Sequence, residues 1–280
     1  MRNPLNLLRP EYLYQPRFLL KTFRRRELSQ RETVKLSWGL PLTVNAQELI
    51  GKSIAIFGVF DLPVVETLWR LTEKDDLALD IGANVGLMSS VLAKRAQRVV
   101  AFEPLPMLCE RLRETVRAWE AVGEKVTVHE MAVSDVSGVA GFGYTELFYM
   151  NEGLAHLSDN GQMKVRTTRL DDLFDSHIGV MKVDVEGFEL NVLRGAPQLL
   201  ESRLIRDIVF EEHGMLPTPV TGLLESYGYR IFPLAYSFRS LNLKGKNRVE
   251  TSNYLATLDA DRALARLSPP GWHAFRSSDL

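Results

Sequence analysis

Cysteine is almost absent from this 280-residue chain. Cys109 stands alone, so no internal disulfide can form and a zinc site would need other ligands. Long hydrophobic runs are missing too. No apolar stretch approaches the ~20 residues that span a bilayer, and the most apolar window, Ile54 to Phe60, has the length of a strand. No repeat and no low-complexity segment is visible. A secretory pattern is lacking: Pro4, Pro10 and Pro16 interrupt the first residues, and no small-residue cleavage site follows an apolar core. With 45% hydrophobic and 25% charged residues, the composition is that of an ordinary globular protein. The expectation is a cytoplasmic protein with one large domain or two modest ones.

Net charge is also nearly absent, at −1, but the balance is uneven. Residues 1–37 hold nine Lys and Arg against three Glu, a net of +6. The remaining 25 basic and 32 acidic residues carry −7. A basic leader on an acidic body is either a solvated arm packed on its own domain or a peripheral contact for an anionic membrane or substrate. Phe18, Leu19, Leu20 and Phe23 give it an apolar side. Nucleic acid is not an expected partner, because no strand face interleaves basic and aromatic residues.

What is there, from about Leu77 onward, is regular alternation of buried strands and helices. Leu77–Ile81 is an apolar run closed by Asp80-Ile81-Gly82, the mark of a strand covered on both faces, and Arg98–Phe102 reads as a second buried strand. Helical spacing follows over 85–96 and again over 105–122, where Leu105, Leu108, Leu112, Val116 and Trp119 share a face. Val126, Val128 and Met131-Ala132-Val133 read as a third strand. Later strands fall near Val180–Val183, Asp207–Phe210, Tyr229–Leu234 and Tyr254–Leu258. This order predicts an α/β fold of parallel βαβ units, with the last two strands, joined without a helix, pairing antiparallel at the edge. Residues 136–170 break the alternation as a β-rich insertion. The implied organisation is a basic extension over 1–50, a main domain over 51–265 and a tail over 266–280.

The densest signal is Asp80-Ile81-Gly82-Ala83-Asn84-Val85-Gly86, with Glu103 and Pro104 after the next strand. In such sheets ligands sit beyond the carboxyl ends of the strands. Gly82 permits the turn, Gly86 a close approach to the helix, and Glu103 is placed to accept hydrogen bonds from a ribose diol. A dinucleotide fingerprint would want glycine at Asn84 and Leu87, and a carboxylate at Asp80 would repel phosphate. A cofactor with cationic centres and no phosphate suits these residues better, which describes S-adenosylmethionine.

A second acidic constellation lies in Met181-Lys182-Val183-Asp184-Val185-Glu186-Gly187-Phe188-Glu189. Asp184 would end the fourth parallel strand on the same rim as Asp80 and Glu103. Glu186 follows near a helix start, where an acid is favourable in any case. His213, after the fifth strand, is a proton acceptor for a hydroxyl nucleophile or a structural rim histidine. In the insertion, Tyr144, Phe148, Tyr149 and Asn151 are either acceptor-pocket walls or insertion core. The spacing matches no dedicated metal motif, so no metal is assigned.

The segments 80–86 and Lys182-Val-Asp-Val-Glu-Gly-Phe-Glu189, with Val192-Leu-Arg-Gly-Ala196 and Thr168-Arg-Leu-Asp-Asp-Leu173, resemble the FkbM-type S-adenosylmethionine-dependent methyltransferases over about residues 65–260. That resemblance implies a Rossmann-like class I methyltransferase fold, a seven-stranded sheet with an antiparallel last strand, and O-methylation of sugars, glycans or secondary metabolites. Carried over by position, it puts Asp80, Gly82, Asn84 and Gly86 at the methionine end of the cofactor and Glu103 at the ribose, with Ala83 and Pro104 also among the cofactor-binding residues. Met131 and Ala132 would meet the adenine, and Asp184 and Glu186 would flank the transferred methyl. The expected partner is a small-molecule or glycan acceptor. The rival readings are an NAD-dependent oxidoreductase and a cofactor-binding scaffold without catalysis.

Overall fold

The computed structural model describes residues 29–144, 155–157, 163–236, 240–243 and 251–275. Phe18, Leu19, Leu20 and Phe23 of the leader, and Phe148, Tyr149 and Asn151 of the insertion, lie outside the described residues. A hairpin of Arg31–Lys35 and Pro41–Asn45 leads into helices α1 (Leu49–Phe57) and α2 (Leu62–Leu71). Seven strands then build the central sheet: β1 (Leu77–Ile81), β2 (Arg98–Phe102), β3 (Val126–His129), β4 (Ile178–Val183), β5 (Ile205–Glu211), β6 (Arg230–Pro233) and β7 (Asn253–Thr257). Helix α3 (Leu87–Ala93) follows β1 and α4 (Pro106–Glu120) follows β2. Helices α5 (Glu189–Arg194) and α6 (Pro197–Glu201) join β4 to β5, α7 (Pro219–Ser226) follows β5, and α8 (Ala260–Leu267) follows β7.

The lateral order is β6-β7-β5-β4-β1-β2-β3, and every pairing is parallel except the two made by β7. The order reverses between β1 and β4, and an open parallel sheet leaves its ligand crevice at the carboxyl ends beside such a switch. The antiparallel pair does form the sheet's edge, with β7 one place in from the rim.

Side-chain alternation splits the core in two. Ala78, Val99, Ala101, Val180 and Val209 pack under α2, α3, α4, α8 and the hairpin. Leu79, Ile81, Val100, Phe102, Met181, Val183 and Ile208 pack under α5, α6 and α7. The face of α4 with Leu108, Leu112, Val116 and Trp119 is buried, as its 3.6-residue spacing requires. The hairpin is tied to the first layer by Trp119 Nε1, which donates to the Pro41 carbonyl at 2.7 Å, and by Trp38 Nε1, which donates to Ser90 Oγ at 3.1 Å.

Several expectations change. Ile54–Phe60 is not a strand. Its first residues finish α1, which Gly58 ends in the left-handed region at φ 71°. An apolar run this short carries no period that separates strand from buried helix. Met131-Ala132-Val133 does not extend β3, which stops at His129. Ala132–Val133 pairs instead with Met163–Thr168 in a second, four-stranded sheet that also holds Gly138–Tyr144 and Ala155–Leu157. Residues 266–275, within the C-terminal segment read as a tail, pack back on α2. Arg70 on α2 donates to the carbonyls of Pro269 at 2.8 Å and Gly271 at 2.5 Å, and Glu66 accepts from the backbone of His273 and Ala274 at 2.6 and 2.9 Å. Trp272 is fully buried beneath them. No helix among the described residues is long and apolar enough to cross a membrane.

Candidate functional site

The carboxyl ends of β1, β2 and β4 open into a cleft walled by Gly82, Ala83 and Asn84 from the first loop, Glu103 and Pro104 after β2, Met131 and Ala132 after β3, and Asp184 and Glu186 after β4. All nine were picked out from sequence. The alternation of the strands explains the convergence. Ala78 and Asp80, Ala101 and Glu103, Val180, Lys182 and Asp184, Val209 and Glu211 each step by two along one face, apolar first and ionisable at the end.

The first loop is held by backbone bonds: Gly82 and Ala83 both donate to the Phe102 carbonyl, at 3.0 and 2.9 Å. Gly82 has φ 77°, and a Cβ there would stand 1.9 Å from the Asp184 carbonyl oxygen, so glycine is demanded by the neighbouring loop. Gly86, expected to admit the ligand, does not line the cleft. A Cβ there would meet Leu112 at 2.4 Å, so its role is to let α4 close on α3.

Asp80 is also displaced from its expected place at the methionine end. It is fully buried behind the wall, where Oδ2 accepts from Ser89 Oγ at 2.5 Å. Lys182 stands opposite it in register, with Nζ 3.6 Å from Asp80 Oδ1, 3.3 Å from Asp184 Oδ2, and donating to the Gly82 carbonyl at 2.8 Å. Lys182 therefore ties the hidden acid to the exposed one. Among the described residues it is the sole cation on the cleft wall.

The acids around it are poorly compensated. Glu103 accepts from the backbone N–H of Asn84 at 2.8 Å and of Leu105 at 2.9 Å, yet burial outweighs these bonds and pushes its carboxyl up to about 7. Glu186 is raised to about 7, first by burial and then by Asp184 and Glu189. Asp61, at the head of α2, is raised to about 6 by burial and by Asp184, although Asn253 Nδ2 donates to it at 2.7 Å. Glu189 braces the loop by accepting from the N–H groups of Val185 and Gly187, at 3.1 and 3.3 Å.

Backbone strain gathers here as well. Four non-glycine residues among those described lie in the left-handed region, and three of them, Asp61 (φ 51°), Asn84 (φ 50°) and Glu186 (φ 52°), line this cleft. Each costs of order 1–3 kcal/mol, which the rest of the fold must hold in place.

His213 does not reach the cleft wall. Its side chain is 69% exposed on the loop after β5, with Nε2 3.5 Å from Glu211 Oε1. The strand ends at Glu211, and two further residues carry the histidine outward. Phe142, on the Gly138–Tyr144 strand that Tyr144 ends, lines the cleft. The Leu-Asp-Asp segment is structural: Asp171 accepts from the N–H groups of Gln198 and Leu199, at 2.9 and 3.2 Å, and so caps α6. Sequence reasoning missed Asp61, Phe60, Phe142 and Asn253, which come from outside the strand–loop motifs. Lys182 and Glu211 carried a signal in their strand phase.

A family model described as the methyltransferase FkbM domain matches residues 80–231. The chain is 33% identical to a hexuronic acid methyltransferase, AglP of Haloferax volcanii, over 58% of this chain and 66% of that protein. It is 24% identical to the AMB antimetabolite synthetase AmbE of Pseudomonas aeruginosa, over 56% of this chain and 10% of that one. The match therefore spans just under two thirds of the first relative and a small part of the second. A solved FkbM methyltransferase from Methylobacillus flagellatus aligns with 17% identity and a TM-score of 0.44, covering 65% of this chain and 43% of that one.

Proposed function

The chain belongs to the FkbM-domain methyltransferase family, and from that premise we propose that it transfers a methyl group from S-adenosylmethionine to a hydroxyl of a sugar-type acceptor, free or in a glycan. When bound, that donor supplies an electrophilic methyl on a cationic sulfur, open to in-line displacement. The observation that carries the reading is charge: Glu103, Asp184, Glu186 and Asp61 face one cleft with Lys182 as the single cation on its wall among the described residues. A ligand bearing sulfonium and ammonium groups offsets those carboxylates, whereas a pyrophosphate would add to the repulsion. Glu103 keeps oxygen lone pairs for a ribose diol after its two backbone bonds. Met131, Ala132 and Leu108 offer an apolar seat for a purine. Carboxylates beyond Lys182 suit the hydroxyls of a sugar, and the similarity to a hexuronic acid methyltransferase points to the same acceptor class.

Isothermal titration tests the donor directly. S-adenosylmethionine and its demethylated product should both bind, and NAD should not. Preferential binding of NAD would overturn the reading. Mass spectrometry of a cell extract incubated with the protein and labelled donor then reads the acceptor, and donor binding with no labelled product would favour a scaffold instead.

A further inference from the structure

We propose that Asp61 and Asn253 form the acceptor-binding pair of this cleft, and that they read a vicinal diol on an uncharged part of the sugar. This rests on the methyl-transfer reading above. The cleft has two halves. Glu103 and Pro104 after β2, with Met131 and Ala132 after β3, wall it on one side of β1. Val209 and Phe210 of β5 and Asn253, the first residue of β7, line the other side, beyond β4, and Asp61 joins them from the head of α2. Asn253 stands in register with Glu211, the last residue of β5. Both members of the pair lie outside residues 80–231, the span matched by the family model, whereas the four residues of the first half lie inside it. A donor common to a family suits the shared part of the chain, and recognition of a particular acceptor suits the rest.

The pair is joined by a direct bond: Asn253 Nδ2 donates to Asp61 Oδ2 at 2.7 Å. A carboxylate only accepts, so this bond fixes which end of the amide faces Asp61. Asn253 keeps a second N–H and its carbonyl oxygen, and the Asp61 carboxylate has lone pairs beyond that bond. Each hydroxyl of a sugar gives one hydrogen and takes another. Two on adjacent carbons match this set of donor and acceptors, whereas a single hydroxyl leaves part of it unmet. Asp61 holds its place at φ 51°, a left-handed conformation that Asp and Asn tolerate better than other side chains do. Phe60, one residue earlier and partly buried, lines the same cleft and offers an apolar surface to the C–H face of a ring. Charge sets the remaining requirement. Burial and then Asp184 push the Asp61 carboxyl up to about 6, so a carboxylate or phosphate docked here would add one more like charge. Hydroxyl hydrogens offset that charge instead. An acidic sugar must therefore turn its carboxylate away from the pair.

The first test uses simple probes. Methyl mannoside, methyl galactoside and methyl glucoside present vicinal diols of different geometry. Each is titrated into the ligand-free protein, and again with the demethylated donor present, while nitrogen–proton NMR follows the Asn253 side-chain amide. At least one should give a saturable shift with a millimolar Kd, and the matching deoxy glycoside or Asp61→Asn should weaken it about tenfold or more. No saturable shift with any of the three overturns the pair, and so does equal binding of the deoxy glycosides. Inorganic phosphate should leave the amide unmoved, and a saturable phosphate shift would replace the diol with an anion. The second test is transfer to a cell extract. Asp61→Asn, or Asn253→Ser should the first variant fail to fold, should cut labelled product about 10- to 100-fold at limiting extract, through KM, with donor Kd within about twofold. Labelling at the wild-type level would sink the proposal, and a donor Kd weakened about tenfold would move the pair to the donor half and sink it equally. A wild-type protein that binds no S-adenosylmethionine defeats the methyl-transfer reading instead, and the glycoside titration still judges the pair.

Discussion

The two ends of the same sheet treat charge in opposite ways. At the amino ends of the strands, Glu73, Asp76 and Asp207 meet Arg206, Arg262 and Arg266. Arg206 Nη2 lies 2.8 Å from Asp76, Arg262 Nη1 2.8 Å from Asp207, Arg262 Nη2 2.6 Å from Glu73, and Arg266 Nη2 2.9 Å from Glu73. Three acids answer three arginines. Burial pushes the Glu73 carboxyl up, but Arg262, Arg206 and Arg266 outweigh it and hold the group below its ordinary value. At the carboxyl ends, Asp61, Glu103, Asp184 and Glu186 face Lys182, the sole cation of that wall among the described residues, and burial with repulsion from neighbouring acids raises Asp61, Glu103, Glu186 and the adjacent Glu211. Balanced charge locks the base of the sheet. Unbalanced charge at the other end stores an affinity for protons or for a cationic ligand.

The comparison can be broken most forcefully at the base. Arg262→Ala leaves Asp207 and Glu73 short of a partner in a mostly buried setting, which should cost about 3 kcal/mol in denaturant unfolding. Donor affinity of the molecules that remain folded should not move. A loss under about 1 kcal/mol would mean that the network is solvated and does not lock the sheet.

A smaller effect is expected at the site. Glu103→Gln removes a charged acceptor from a predicted ribose contact, so donor affinity should fall about tenfold, near 1.4 kcal/mol, by titration calorimetry. Unchanged affinity would remove Glu103 from the cofactor site.

The smallest effect is also the one that sets the two ends directly against each other. The raised acids bind more protons in the folded than in the unfolded chain, so their stabilising contribution is full below about pH 4.5 and is lost as pH rises through about 6 to 8. Glu73 has the opposite sign, contributing above the ordinary carboxylate range and losing that contribution as pH falls below it. Thermal melts of the ligand-free protein should therefore show Tm falling by about 3–6 °C from about pH 5 to about pH 8, with a shallower slope in Glu103→Gln. A Tm that climbs across that range would show that the unbalanced acids do not dominate.

Much of this was legible in the chain. Continuous apolar runs placed β1 and β2 to the residue, because a strand buried on both faces tolerates little else. Glu103 and Asp184, picked out because each directly follows a strand whose carboxyl end lies at the ligand rim, line the cleft, and so does Glu186 two residues further on. Asp80 shows the limit. Its motif reaches that rim, but Asp80 itself is level with Ala101 and Lys182, two residues short of Glu103 and Asp184 on the same face, and so meets Ser89 and Lys182 behind the wall. His213 shows another: a proton acceptor near the right strand is of no use to the cleft when the loop carries it into solvent.

Local pattern by itself determined the alternating architecture and the acids at the strand ends, since burial on two faces and the two-residue period of a strand are written directly in neighbouring residues. The fold alone decided that Asp61 and Asn253, 192 positions apart, close one wall together, that Asp80 and Lys182 face each other across neighbouring strands, and that Gly86 serves α4 rather than a ligand. Those outcomes depend on strand order and register, which bring distant segments within hydrogen-bond range, and no short-range spacing encodes them.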